Sequence, residues 1–210
     1  MQRLAQALTL TATAAALAAG PAAFADTLTV NGTADDFFKL YIATELGNPG
    51  SAAFDKTSGW SALGSASITL QPGQSVYLLI DADNAFGGPA MLLADFTLSG
   101  GSLRFANGQT SLTTDTVNWK VSEASFAAAT QAPVSMGLNQ PGLQIWGQFA
   151  GVSAQASAIW AYEANWATGH TGHAYFVTQI TAVPEPATTL LWLGGAALLA
   201  GLRRRTRQRS

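Results

Sequence analysis

The sequence predicts an all-β domain, an antiparallel two-sheet sandwich, between two apolar terminal segments. Helical periodicity is hard to find between residues 26 and 182, where short apolar-rich runs recur between Gly, Asn, Pro and Ser. Several of these runs alternate polar and apolar residues, as strands with one buried face do. The segment also has the size of a single domain, and two packed sheets would let its strands bury their apolar faces.

Nine runs are predicted as strands. In chain order they are Thr27–Asn31, Phe37–Ile42, Ser65–Leu70, Ser75–Asp81, Met91–Ser99, Gly101–Ala106, Trp119–Val121, Ile159–Tyr162 and Ala174–Thr181. The alternation is clearest in the third run, where Ser65, Ser67 and Thr69 face one side. Residues 71–74 follow it with Pro and Gly in the positions that a type II turn requires. Residues 127–137 are mixed small residues with a proline, so we expect a long loop there, with room for a short helix.

The first 25 residues predict a signal peptide. Arg3 is their only charge, an apolar stretch covers residues 4–19, and Ala23 and Ala25 supply the small residues of a signal-peptidase site. Cleavage there leaves Asp26 as the first mature residue. A permanent membrane span over residues 4–19 fits less well, because the stretch is short and a cleavage site follows it. We therefore expect Sec-type export across the inner membrane, with signal peptidase as a processing enzyme.

Residues 183–210 carry three features in order. Pro184, Glu185 and Pro186 are followed by an uncharged apolar run over residues 187–202. The run is about 24 Å long as a helix at ~1.5 Å per residue, which is short for a hydrocarbon core of about 30 Å. Arginine stems can extend it to the headgroups, and the positive-inside rule puts this end in the cytoplasm. We predict a single transmembrane helix over 187–202, stopped by Arg203, Arg204, Arg205, Arg207 and Arg209.

This tripartite tail closely resembles the PEP-CTERM sorting domain of Gram-negative bacterial surface proteins. In that family exosortase, an integral membrane cysteine transpeptidase, recognises the tail and cleaves near the Pro-Glu-Pro. The resemblance implies that Pro184, Glu185 and Pro186 are recognition residues of a substrate. It also implies a transient membrane anchor, a mature protein at the cell surface or in the extracellular matrix, and an association with exopolysaccharide. A plain single-span anchor behind a proline-containing linker is the alternative.

The composition of residues 26–182 limits the classes of partner. The segment has four basic residues against eleven acidic ones, so nucleic acid is excluded as an expected partner. The chain has no cysteine, which rules out a disulfide framework and a cysteine nucleophile. Stability must therefore come from the core.

The same segment also resembles the galactose-binding type of jelly roll, a non-catalytic sandwich module found beside glycoside hydrolases. The resemblance rests on residues 33–42 with their Asp-Asp and Leu-Tyr, on the Pro-Gly turn within residues 70–76, and on residues 80–84. It also rests on Trp60, Gly87-Gly88, and residues 158–160 and 175–178. The chain departs from the pattern at Ala43-Thr44, where Asn-Gly would be usual, so the following turn must differ.

Two acidic clusters, Asp35 with Asp36 and Asp81 with Asp83 and Asn84, are candidate ligand or ion sites. Their oxygens suit a structural calcium ion, which takes six to eight such ligands. Alternatively, Asp35, Asp36 and Asn84 accept hydrogen bonds from backbone N–H groups in turns. We favour the second interpretation because no EF-hand spacing is present, and we expect no cofactor.

No pattern of catalytic residues is visible. His170 and His173 are the only histidines, and without cysteine they do not make up a zinc ligand set, so we interpret them as part of a glycine-rich loop. No nucleophile–His–acid set is marked by spacing, and carboxylates alone do not identify a glycosidase. We therefore predict a protein that is not an enzyme.

Aromatic residues are frequent in the predicted domain and suit both core filling and stacking on sugar rings. Trp60, Trp119 and Trp160 lie on predicted strands or at their ends, so we expect them in the core. Trp146 and Trp166 lie in predicted loops, so we expect them exposed and name them as candidate sugar-binding residues. The predicted function is a structural or exopolysaccharide-binding surface protein. The alternatives are a polysaccharide-modifying hydrolase and a passive matrix protein without a specific ligand.

Overall fold

The computed structural model describes residues 25–183, which form two antiparallel β-sheets facing each other. The first sheet has the strand order β10-β11-β6-β1-β4, with β8 also paired to β6. The second has the order β3-β2-β5-β12-β7, with β9 also paired to β12. The strands are β1 Asp26–Asp35, β2 Phe37–Ala43, β3 Phe54–Lys56, β4 Gly64–Leu70, β5 Val76–Asn84, β6 Met91–Ser99, β7 Leu103–Phe105, β8 Ser111–Thr113, β9 Lys120–Ser122, β10 Val134–Leu138, β11 Ser157–Trp160 and β12 Gly172–Ala182.

The all-β prediction is confirmed, and each of the nine predicted strands overlaps a strand of the structure. Three strands were not predicted: β3, β8 and β10. Two of them are only three residues long, and β10 contains an irregularity between Ser135 and Gly137 that breaks the alternation. The predicted loop over 127–137 therefore ends in a strand, and a 3-10 turn at Phe126–Ala128 lies at its start.

The core lies between the two sheets and follows the alternation of the strands. Leu28 and Val30 of β1 face Leu40 of β2, and Ile80 and Phe176 of the second sheet are also fully buried. Burial of such side chains contributes about 1.5–3 kcal/mol each. Trp119 and Trp160 are buried as predicted, and Trp60 is partly buried against the same core.

The outer faces of the two sheets differ in chemistry. Across the outer face of the first sheet, Thr27 lies between Thr69 and Ser99, and Thr29 lies between Ser67 and Thr97. These side chains are small, uncharged hydroxyls, most of them exposed. The outer face of the second sheet carries the aromatic and charged side chains that form the candidate site described below.

Asp36 is the single residue between β1 and β2, where the chain crosses from the first sheet to the second. Loops cover the first sheet at this end: the hydroxyl of Thr33 donates to the carbonyl of Trp60 at 2.7 Å, and Trp60 packs edge-on against Phe149. Thr33 and Asp35 are therefore buried, whereas Thr29 on the same face of β1 is exposed.

The two ends of the domain meet at Ser102. Its backbone N–H donates to Oδ1 of Asp26 at 3.2 Å, and its carbonyl accepts from the N–H of Val183 at 2.8 Å. The side chain of Asp26 also accepts a hydrogen bond from the hydroxyl of Ser102. The predicted mature N-terminus and the start of the predicted sorting tail thus leave the sandwich at one place.

The predicted signal helix with Ala23, the Pro184-Glu185-Pro186 motif, the helix over 187–202 and the arginines after it lie outside the described residues. Within residues 25–183, no helix is long and apolar enough to cross a membrane.

Candidate functional site

An open groove of about 320 Å³ lies on the outer face of the second sheet. Its residues come from adjacent strands because β5 pairs with β2 on one side and β12 on the other. The register places Phe37 and His173 on either side of Asp83, and Lys39 and Tyr175 on either side of Asp81. The groove is lined by Phe37, Phe38, Lys39, Asp55, Thr57, Asp81, Asp83 and His173.

Carboxylates dominate the polar groups of the groove. Nδ1 of His173 lies 2.6 Å from Oδ1 of Asp81, and its Nε2 lies 3.9 Å from Oδ1 of Asp83. Nζ of Lys39 lies 4.0 Å from Oδ2 of Asp55, with both side chains about half exposed. The groove therefore offers acceptors, an ammonium and an imidazole along one face.

Aromatic rings continue the groove along the sheet. The ring of His173 stacks on Tyr175 with centroids 5.9 Å apart, and Phe126 packs edge-on against both Tyr175 and Tyr41. Partial burial, followed by the negative charge of Asp81, raises the pKa of Tyr41 and of Tyr175. Both phenols therefore remain neutral hydrogen-bond donors at the edge of an acidic surface.

Two exposed aromatic residues extend this surface beyond the strands. Phe86 is 80% exposed and packs edge-on against Phe37, with ring centroids 6.4 Å apart. Trp166 is 75% exposed and its ring lies against Gly88, where a Cβ would come within 2.9 Å of it. The expectation that Trp166 is exposed is confirmed, and Phe86 joins it as a residue that the sequence did not single out.

The loops that carry these rings are held together by Asn84. Its Nδ2 donates to the carbonyl of Gly88 at 3.3 Å and to that of His170 at 3.0 Å. The loops also touch at Gly169, where a Cβ would lie 1.7 Å from the Gly88 carbonyl oxygen, so only glycine fits. Asn84 is buried on β5 and joins two loops, whereas the sequence predicted an acceptor within a turn.

The two histidines lie against different carboxylates. His170 stacks on Tyr162 with centroids 4.8 Å apart, and its Nε2 lies 3.0 Å from Oε1 of Glu123. His173 opens β12 and faces the groove. Among the side chains of residues 25–183, no group of three or more His, Asp or Glu is placed to hold a metal ion. Calcium binding stays the alternative interpretation of the two acidic clusters, as the sequence left it.

Asp35 and Asp36 belong to a buried polar cluster with Lys56. Nζ of Lys56 donates to the carbonyls of Ala34 at 3.3 Å, Asp36 at 3.1 Å and Gly59 at 2.9 Å. Burial lowers the pKa of Lys56 to about 8, against the opposing attraction of Asp35 and Asp36. The ammonium thus sits among carbonyl oxygens and next to the acidic pair at the crossing between the sheets.

Each acid of the pair also accepts a hydrogen bond. Oδ2 of Asp35 accepts from Nε1 of Trp146 at 2.8 Å, and Oδ2 of Asp36 accepts from the N–H of Phe86 at 3.2 Å. Burial raises the pKa of Asp35 to about 7; Trp146 and Lys56 oppose this rise, whereas Asp36 adds to it. Asp36 therefore does accept from a loop N–H, as one interpretation of the sequence expected, but from a loop fifty residues away.

The expectation that Trp146 is exposed is wrong. Its side chain is 6% exposed and packs in the main core, because its N–H is drawn inward to the buried carboxylate of Asp35. Trp146 therefore has no free ring face for a sugar. Phe37, Lys39, Asp55 and His173 were missed as groove residues, since only the pairing of distant strands brings them together.

Comparison with known proteins bears on the end of the chain. The match is to the PEP-CTERM protein-sorting motif, at residues 182–207. It confirms the sorting motif predicted from the sequence and indicates an exported protein that exosortase sorts to the surface or extracellular space of a Gram-negative bacterium. Neither a curated protein nor a solved structure matches the chain, so the resemblance to galactose-binding sandwiches stays a prediction.

Proposed function

We propose that the sandwich is a non-catalytic, galactose-binding-like module that binds exopolysaccharide of the cell's own matrix through the groove on its second sheet. The observation that carries the proposal is the combination of exposed rings and acceptors along one surface. Phe37, Phe86 and Trp166 offer apolar ring faces, and Asp81 and Asp83 offer acceptors for hydroxyls beside them. Sugar rings have an apolar face and a polar rim, so such a surface is complementary to them.

Export and sorting support a ligand that lies outside the cell. The sorting motif indicates a protein at the cell surface or in the extracellular space, where an exopolysaccharide would be within reach. The domain has four basic residues against eleven acidic ones, which favours neutral or basic sugars over acidic polymers. We expect no cofactor in this function.

A variant with both exposed rings removed tests the groove. We expect Phe86→Ala with Trp166→Ala to weaken binding to the host's exopolysaccharide about tenfold or more, since each ring contact contributes about 0.5–1.5 kcal/mol. Binding is measured by affinity electrophoresis of the processed protein in gels containing that polysaccharide. Val117→Ala is the matched control, because Val117 is an equally exposed apolar residue, 77% exposed, in the separate loop between β8 and β9.

Undiminished binding by the double variant would remove the groove from the proposal. No binding by the wild-type protein would favour the passive matrix protein instead.

A hydrolase is the second candidate function, because Asp81 and Asp83 lie on one face of β5 with their Cα atoms about 7 Å apart, and glycosidases use two carboxylates that flank the scissile bond. Both, however, face the same imidazole of His173, rather than an open gap for a glycosidic bond. We therefore favour binding. New reducing ends appearing in the polysaccharide on incubation with wild-type protein, and not with Asp81→Asn, would favour the hydrolase.

We further propose that Sec-type export, signal-peptidase cleavage after Ala25 and transient anchoring by 187–202 precede exosortase cleavage near Pro184. The expected result is that the protein at the cell surface starts at Asp26 and lacks the apolar run and its arginines. Intact-mass measurement of surface-extracted protein checks both ends at once. A mass that includes residues 190–202 would contradict processing and favour the plain membrane anchor.

A further inference from the structure

Strand β4 is an open edge of the first sheet. It pairs through all seven of its residues with β1, and with no other described strand. None of residues 64–70 makes a backbone hydrogen bond to a described residue outside that ladder. Within residues 25–183, one side of β4 therefore presents a row of unpaired N–H and C=O groups.

The other described edges carry the features by which proteins prevent strand addition. Strands β3, β7, β8 and β9 are three residues long, and β10 follows Pro133 and is interrupted by an irregularity after Ser135. Short length, bulges, proline and charge are the usual protections of an edge. Strand β4 has none of them: it is seven residues long, regular, and free of charge and proline.

The buried face of β4 is also incompletely covered. Ala66 and Ile68 pack against the core but remain partly exposed, whereas Leu28 and Val30 of the neighbouring strand are fully buried. The difference arises because no described strand lies on the outer side of β4. A further strand there would extend the cover over these apolar side chains.

We propose that β4 pairs antiparallel with β4 of a second copy, so that two first sheets join into one. A two-fold axis through any residue of the strand places odd-numbered residues opposite odd-numbered ones and even-numbered opposite even-numbered. The outer-face side chains of one copy therefore meet outer-face side chains of the other. With the axis at Ser67, Ser65 lies opposite Thr69 and Ala66 lies opposite Ile68. Hydroxyl side chains then lie opposite each other on the outer face of the joined sheet, and apolar side chains lie opposite each other on its core-facing side.

A second copy fits this edge better than an unrelated peptide because the strand is complementary to itself. No charge on β4 selects a partner of opposite charge, and the hydroxyls of Ser67 and Thr69 continue those of Thr29 and Thr27 on β1. A pair would also carry two grooves, which raises the avidity for a repetitive polymer when both engage one chain. The pairing itself does not depend on the proposed function.

Ser67→Lys tests the pairing because it puts like charges opposite each other at the seam while leaving the fold intact. Ser67 is exposed on the outer face, so the lysine side chain can extend into solvent. We expect the processed wild-type protein to sediment as a dimer, and Ser67→Lys to sediment as a monomer that still unfolds in one cooperative transition at a midpoint independent of protein concentration. Thr29→Lys is the matched control: Thr29 is exposed, lies directly opposite Ser67 on β1 and is one strand away from the seam.

Mixing opposite charges identifies the partner. Ser67→Asp alone should also be monomeric, whereas an equimolar mixture of Ser67→Lys and Ser67→Asp should restore the dimer through attraction across the strands. A wild-type monomer, a Ser67→Lys dimer, or a mixture that stays monomeric would each overturn the proposal. A wild-type protein that is monomeric but captures another protein through β4 would replace the second copy with that partner.

Discussion

Lys56→Met is expected to destabilise the domain by about 3–5 kcal/mol, the usual cost of removing one member of a buried charged cluster. Methionine keeps most of the volume and the flexible stem of lysine, so the loss of stability measures the contribution of the ammonium group itself. Without it, the carbonyls of Ala34, Asp36 and Gly59 lose a common donor, and the buried Asp35 loses a nearby positive charge. At about 2–4 °C per kcal/mol for a domain of this size, the unfolding midpoint falls by roughly 10 °C.

The measurement is thermal or denaturant unfolding of the processed protein. Lys120→Met is the matched control, because Lys120 lies exposed on β9 and makes no ion pair among the described residues. We expect the control to change stability by less than about 0.5 kcal/mol. Equal stability of the two variants would show that the ammonium of Lys56 does not hold the crossing between the sheets.

Asp35→Asn is expected to remove part of the pH dependence of stability. Because burial raises the pKa of Asp35 from 3.8 to about 7, the folded state binds its proton more tightly than the unfolded state does. The stability linked to this proton is fully present below pH 4 and is lost as the pH rises to about 7. Lys56 is charged throughout this window, since its pKa is about 8, so it adds little to the slope.

The expected result is that Asp35→Asn gains stability relative to wild type as the pH rises from 4 to 7, at up to about 1.4 kcal/mol per pH unit. Asparagine retains an oxygen that can accept from Nε1 of Trp146, so the packing of the tryptophan is preserved. Unfolding midpoints at pH 4, 5.5 and 7 check the slope. Glu163→Gln, a change at an exposed loop position, should run parallel to wild type; parallel curves for Asp35→Asn as well would contradict the raised pKa.

The strands that alternate were predictable, and the contacts between them were not. Ser65, Ser67 and Thr69 share a face as the sequence indicates, and Met91–Ser99 is a strand with the predicted bounds. The three-residue strands β3 and β8 are too short to carry a period. Alternation indicates which side of a sheet a residue faces but not which strand lies beside it. The cross-strand row of Phe37, Asp83 and His173 could therefore be recognised only from the structure.

The buried polar cluster around Asp35 could not be predicted from the sequence for a related reason. Asp35 and Trp146 are 111 residues apart, and a loop that folds over the first sheet brings them into contact. Loop position predicted exposure for Trp146, and a charged side chain such as that of Asp35 is mostly exposed unless it is paired. Mutual hydrogen bonding, which no local pattern records, reverses that preference.

Both ends of the domain meet at Ser102, and the groove lies toward the opposite end of the sandwich. Strand β12 runs from His173 in the groove to Ala182 beside the exit of the chain, a length of about 30 Å at ~3.3 Å per residue. The membrane anchor proposed above would hold this end of the domain, so the groove would lie toward the opposite end and face away from the membrane. The two proposed cleavage sites border Asp26 and Val183 at this same end, so the anchored and the released protein would present the same groove.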